Sequence, residues 1–253
     1  MGVGRTVLEK QAKAKRELLR RQELALCREG SIVKGLWIPG PLYWLHFVIG
    51  DDDEPAGVHT FDERWQEKRT EPFPRFPGPD TLPYLPWVFS RFLEAKRLFL
   101  EKSRDMMATW CAIGYAAWSC QFFSKTRVIV QTQKEEKVFD LIKGKDAPGY
   151  ARTLYERQPV WLQQRHPLSR PMELQSQGEI TWANGSVLMG VPKGADQIRQ
   201  YHPTLVIFDE AAHLDEFQPA YGNADLVASQ VIAVSSAGPS WFGDVCSDAK
   251  QAG

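Results

Sequence analysis

Four apolar residues, Leu205, Val206, Ile207 and Phe208, run directly into two carboxylates, Asp209 and Glu210. A buried parallel strand that delivers acids to the carboxyl edge of its sheet has this form, and that edge is where open α/β sheets bind ligands. Paired acids at such a point suit nucleotide hydrolysis. Asp209 can hold Mg2+ through its water shell, and Glu210 can orient and deprotonate the attacking water. Taken alone, the same residues also fit a solvated turn at the end of a strand, so the pair needs a phosphate-binding element beside it.

The segment 102–109, Lys-Ser-Arg-Asp-Met-Met-Ala-Thr, stands where such an element belongs, after an apolar strand at 97–101 and before a helix over 109–123. On the eight-residue frame GxxxxGK[ST], Thr109 falls on the hydroxyl position that ligates magnesium. The other fixed positions differ: Lys102 and Met107 replace the two glycines, and Ala108 replaces the lysine. The chemistry needs a cation near the β- and γ-phosphates rather than at one index, and the stem of Lys102 is long enough to reach back over the loop. Without glycine the loop lacks the usual positive-φ backbone, which weakens the expectation of a close amide nest. Asp105 adds a carboxylate that repels a triphosphate unless it faces a cation.

Around these residues the chain alternates strand and helix patterns. Strands are expected at 97–101, 127–131, 205–208 and 231–235, and helices at 109–123, 135–142, 150–164 and 219–229, with a hairpin turning at Asn184-Gly185. That alternation predicts an α/β fold, a mostly parallel sheet flanked by helices. Upstream lies a helical and loop-rich region. Residues 5–28 carry eight Lys or Arg on a weakly amphipathic helical pattern, either a solvated surface helix or an arm that binds a partner or DNA. The run from Asp51 to Glu54 reads as a solvated loop, and six prolines between Pro72 and Pro86 as an extended connector. The boundary between this region and the catalytic unit is placed at residues 80 and 81.

Composition bounds the rest. The 253 residues are 43% hydrophobic, enough for a substantial core, and 31 basic residues balance 31 acidic ones. No global field attracts a polyanion, so DNA binding must come from local patches and is expected to be weak, indifferent to sequence and steeply reduced by salt. No apolar run reaches the length of a membrane span, and Cys27, Cys111, Cys120 and Cys246 lack metal-ligand spacing, which reads as reduced thiols in a cytosolic protein.

Lys102-Ser103-Arg104 before a hydroxyl at a helix start, followed at a distance by Leu205-Val206-Ile207-Phe208-Asp209-Glu210-Ala211-Ala212-His213, resembles the ATPase of the large terminase subunit, the DNA-packaging motor of tailed bacteriophages. The resemblance extends over about 84–244. It implies a P-loop NTPase sheet of the ASCE type, ATP and Mg2+ as cofactors, and a Walker B role for the acid pair. It implies too that Lys102 is a displaced phosphate-loop lysine, with Ser103 beside it, and that Arg104 reaches the γ-phosphate. Val231-Ile232-Ala233-Val234-Ser235-Ser236 is similar to the family's coupling motif. In that fold its strand lies between the phosphate-loop strand and the acid-pair strand, setting Ser235 and Ser236 beside the nucleotide.

Further positions are open to two readings. Tyr84 and Trp87 either stack on adenine or staple the connector to the core. Arg199 either resembles a family position directed at nucleotide or a neighbouring subunit, or is a surface arginine. His213 has no second His or Cys nearby to make a metal site. The family implies translocation of double-stranded DNA into a procapsid in the cytoplasm of an infected bacterium. Its partners are the small terminase subunit and the portal protein, with a ring when assembled and a monomer when alone. The nuclease domain usual in the family is not expected here, since 17 residues follow Ser236. The rival readings are a helicase-like translocase, suggested by the DEAAH run, and an inactive scaffold subunit, suggested by the glycine-free loop.

Overall fold

The computed structural model describes residues 2–54, 57–58, 83–104 and 106–252; for 2–7, Glu135 and Ala252 the description is of the backbone only. A long helix, α1 (Gly2–Glu29), leads into a hairpin of β1 (Gly30–Val33) and β2 (Leu36–Pro39), then α2 (Gly40–His46) and α3 (Leu85–Glu94). The hairpin turns on Lys34 and Gly35, both at positive φ, the conformation that suits a two-residue turn between twisted strands.

Among the described residues the central sheet has six strands. They are β3 (Arg97–Lys102), β4 (Arg127–Gln131), β5 (Glu179–Thr181), β6 (Val187–Val191), β7 (Leu205–Asp209) and β8 (Gln230–Ser236), in the order β3-β8-β7-β4-β6-β5. All neighbours pair in parallel except β5 with β6, the hairpin that turns at Asn184-Gly185. The expected α/β fold with a mostly parallel sheet is therefore the observed one.

The continuous apolar runs of these strands follow from burial on both faces. Leu205 and Ile207 of β7 join one core with Val128 and Val130 of β4 and the helix α4 (Ala108–Phe122). Val206 and Phe208 turn the other way, into a second core with α8 (Phe217–Val227) and α9 (Trp241–Ala252). On that second face Phe99 of β3 stacks on Phe242 and meets Phe217, Tyr221 and Trp241.

Helix α4 has no polar face because it is covered all round: by the sheet, by α2 and by α6 (Tyr150–Glu156). Gly114 lets α2 approach closely here, since a Cβ at that position would stand 3.0 Å from Leu45 Cδ1 and the leucine would have to shift. Trp118 of α4 donates its indole N–H to the Cys27 carbonyl of α1 at 2.7 Å. The first helix is thus of two kinds along its length. Its middle is solvated, with Leu8 and Leu18 exposed, while Glu23 and Cys27 near its end are buried, Glu23 accepting from the Tyr43 hydroxyl at 3.1 Å.

Four expectations need correction. The helix expected over 150–164 is two, α6 and α7 (Val160–Arg165), because Pro159 lacks an N–H and disfavours helical backbone in the residue before it. The Asp51 to Glu54 run is not merely a solvated loop. Asp51 accepts from the N–H groups of Val160 and Trp161 at 2.9 and 3.1 Å, capping α7, and Asp53 pairs with Arg16 at 2.8 Å. Helix α8 begins at Phe217 rather than 219, with Pro219 in its first turn, where a missing N–H costs nothing. Pro86 likewise sits in the first turn of α3, so the proline-rich stretch ends in a helix; its part from 72 to 82 lies outside the described residues.

The four cysteines are buried free thiols, and burial pushes that of Cys111 up to about 12.

Candidate functional site

Parallel pairing brings three strand ends to one edge. Lys102, the last residue of β3, is level with Ser236 of β8, and Asp209, the last of β7, is level with Val234. Helix α4 starts six residues after Lys102, so its N-terminus opens over the same edge.

Across the gap the Thr109 hydroxyl donates to Asp209 Oδ1 at 2.9 Å. Asp209 is buried, and loss of water pushes its carboxyl up to about 6; the Thr109 hydrogen bond and the nearby Lys102 and Lys137 cations oppose the rise, while Glu210 adds to it. Glu210 stands in the left-handed region, with φ +54. The chain turns there into a short 3-10 turn, Ala211–His213, and the Glu210 side chain emerges to pair with Lys137 of α5 (Glu135–Leu141) at 3.1 Å.

The turn is fastened to β8. Ser235, fully buried, accepts from the Ala212 N–H at 3.0 Å, and Ser236 Oγ lies 3.4 Å from His213 Nε2. The hydroxyls expected beside the nucleotide thus lie on the strand between Lys102 and Asp209, and that of Ser235 is engaged in holding the acid turn. Ser103 and Arg104 are exposed after the end of β3. Arg104 has no ion-pair partner among the described residues, and Asp105 lies outside them. Arg199 is exposed and stands 3.8 Å from Asp196.

An open cleft of about 530 Å3 lies over the acids, lined by Thr109, Lys137, Asp140, Tyr150, Asp209 and Glu210 among others. Behind it the Tyr150 ring stacks on Trp110, centroids 4.0 Å apart. Tyr84 reaches the loop through its oxygen: the phenol donates to the Met106 carbonyl at 2.8 Å. Met107, next along and at φ +52, caps α4.

Two of these relationships are invisible in the sequence. Lys137 faces Glu210 only because β4 lies beside β7, so the helix after β4 reaches the acid pair. The sequence draws attention to the ring of Tyr84, whereas in the structure its hydroxyl makes the contact with the loop.

The donor set suits a hydrated Mg2+. It offers a hydroxyl and a carboxylate oxygen within hydrogen-bonding distance, on a carboxyl held above its ordinary range by burial, with room for water and phosphate in the cleft.

The sheet is mostly parallel, and one strand, β8, is inserted between the loop strand β3 and the acid strand β7, whose carboxyl ends share one edge. No protein-family model matches this sequence, and no curated protein does. Among solved structures, the large terminase of bacteriophage HK97 is similar over 84% of this chain and 41% of its own, with a TM-score of 0.51 and 11% identity. The large terminase ATPase domain of Thermus phage P74-26 is similar over 59% of this chain and 63% of its own, with a TM-score of 0.39 and 16% identity. An arginine-to-alanine variant of that domain gives 61%, 66%, 0.40 and 18% in the same order. The chain spans less than two thirds of each of these proteins. The HK97 likeness shows the fold alone: this chain is folded like the matched part of that large terminase.

Proposed function

We propose that this protein is the ATPase of a terminase-type motor, binding MgATP at the carboxyl edge of its sheet and hydrolysing it to move double-stranded DNA into a procapsid. The observation that carries the reading is the Thr109–Asp209 hydrogen bond, which joins the start of the loop helix to the end of the acid strand. The order β3-β8-β7, with Ser235 and Ser236 between the two, supports it.

Thr109 and Asp209 would hold the magnesium ion, which when bound neutralises charge on the β- and γ-phosphates. Lys102 contacts those phosphates from the end of β3. Glu210, on leaving Lys137, takes a proton from the attacking water, and Arg104 stabilises charge as the γ-phosphoryl group moves. The procapsid portal, the small terminase subunit and DNA are the partners, in the cytoplasm of an infected bacterium. A ring on the portal multiplies contacts that are weak in the monomer.

ATP turnover of the purified chain, measured with and without double-stranded DNA, tests the reading. MgATP binding with slow turnover that partners accelerate is expected. No nucleotide binding would leave the inactive scaffold, and strand separation would leave a helicase.

A further inference from the structure

The phosphate loop has no glycine to shape it, yet its last residue before α4, Met107, adopts the left-handed conformation that glycine ordinarily supplies. Met107 is buried, and its carbonyl already accepts from the Cys111 N–H at 2.9 Å in the first turn of α4. What this bond does not set is the orientation of the Met106–Met107 peptide plane, on the other side of the Met107 Cα.

Tyr84 fixes that plane. Its hydroxyl donates to the Met106 carbonyl at 2.8 Å, from a residue that caps α3, where Leu85, Phe89 and Phe92 are wholly buried. In a trans peptide the C=O and the following N–H point in opposite directions, so tying the carbonyl to Tyr84 directs the Met107 N–H away from it.

We propose that Tyr84 is a positioning residue for the phosphate loop, its hydroxyl locking the Met106–Met107 peptide so that the Met107 N–H joins the first-turn amides of α4 in donating to the phosphates of a bound nucleotide. The ligand recognised through it is the polyphosphate, not the base. This rests on the ATP reading above. A carbonyl turned toward the phosphates repels them, whereas an amide attracts them, so the flip of one peptide reverses the sign of one contact. A residue with a Cβ adopts the left-handed region at a cost, and the Tyr84 bond offsets it in the absence of glycine.

Tyr84→Phe separates this role from stacking on adenine, because it keeps the ring and removes only the oxygen. Calorimetric titration with Mg·ATP and with Mg·tripolyphosphate, which has no base, is the measurement, alongside KM and kcat for ATP. Losing one hydrogen bond to a neutral carbonyl corresponds to about 3- to 10-fold, so both affinities should weaken by that factor, with KM rising and kcat held within about two-fold. An unchanged melting temperature without ligand excludes a general loss of structure. Wild-type affinity of Tyr84→Phe for both ligands would overturn the inference while leaving the ATP reading intact, as would a loss confined to ATP or to kcat. Failure of the wild-type chain to bind either ligand removes the ATP reading and this inference with it.

Discussion

The Thr109 hydroxyl and the Asp209 carboxylate meet at 2.9 Å although 100 residues separate them, and the bond spans the mouth of the cleft from the first turn of α4 to the end of β7. A buried carboxylate satisfied by one neutral hydroxyl is poorly matched to its surroundings, which is why its carboxyl rises to about 6.

Asp209→Asn should therefore raise stability and remove function together. The amide oxygen still accepts from Thr109, while the desolvation of a charge disappears. A carboxyl raised from 3.8 to about 6 corresponds to about 3 kcal/mol at neutral pH, so a gain of about 1 to 3 kcal/mol is expected in urea unfolding. Adding MgATP should further stabilise the wild type and leave the variant where it is. A variant less stable than wild type would show that the charge is well compensated in the native protein.

Glu210→Gln is expected to keep nucleotide binding and lower turnover by at least about 100-fold, because an amide fills the same space but accepts no proton from water. Single-turnover hydrolysis with labelled ATP reads this directly. The substitution also cancels the ion pair with Lys137, whose two side chains are half and more than a third exposed, so stability should move by less than about 1 kcal/mol. Turnover at the wild-type rate would remove Glu210 from its role.

The acid pair was legible because a strand buried on both faces has to be apolar throughout, and 205–208 is, up to the residue where the sheet meets solvent. Strand β4 was legible for the same reason. Strand order is a different matter. The insertion of β8 between β3 and β7 came from family resemblance, since nothing in 231–236 states which strands it will lie between. What depends on that order was out of reach: Lys137 meeting Glu210, and Ser235 holding the Ala212 amide. The break between α6 and α7 was written in Pro159. Asp51 as the cap of α7 was not, because it joins segments 109 residues apart.

Lys102 and Arg104 should separate kinetically. Lys102 is half-buried and near enough to Asp209 to influence its charge, a ground-state position, so Lys102→Ala should raise the dissociation constant for MgATP by about ten-fold or more. Arg104 is exposed beyond the strand end, and Arg104→Ala should lower kcat by about 100-fold or more with a smaller effect on binding. Isothermal titration beside steady-state turnover distinguishes the two. Equal losses of binding and rate in Arg104→Ala would make it a ground-state contact.

Acid sensitivity should arise away from the cleft, at His166. Its ring packs on Phe122, centroids 4.7 Å apart, and its Nε2 is buried without a hydrogen-bond partner among the described residues. Burial pushes its pKa down from 6.5 to about 4, against a backbone hydrogen bond at Gln121 that favours the charged form, and the neighbouring Arg165 cation lowers it further. The unfolded chain therefore binds a proton between about pH 6.5 and 4 that the folded chain refuses. Stability contributed by the neutral ring is complete above pH 6.5 and is lost as pH falls toward 4, about 3 kcal/mol in all and most of it by pH 5. Urea unfolding at pH 7.5 and at pH 5 should show this loss as a difference between wild type and His166→Gln, which has no proton to take up: the raised Asp209 carboxyl gains stability over the same window in both proteins, and the wild type should end about 2 kcal/mol worse off on acidification than the variant. The comparison isolates the ring because all other titrating groups are common to both proteins. An equal acid loss in the two would place the sensitivity among the carboxylates instead.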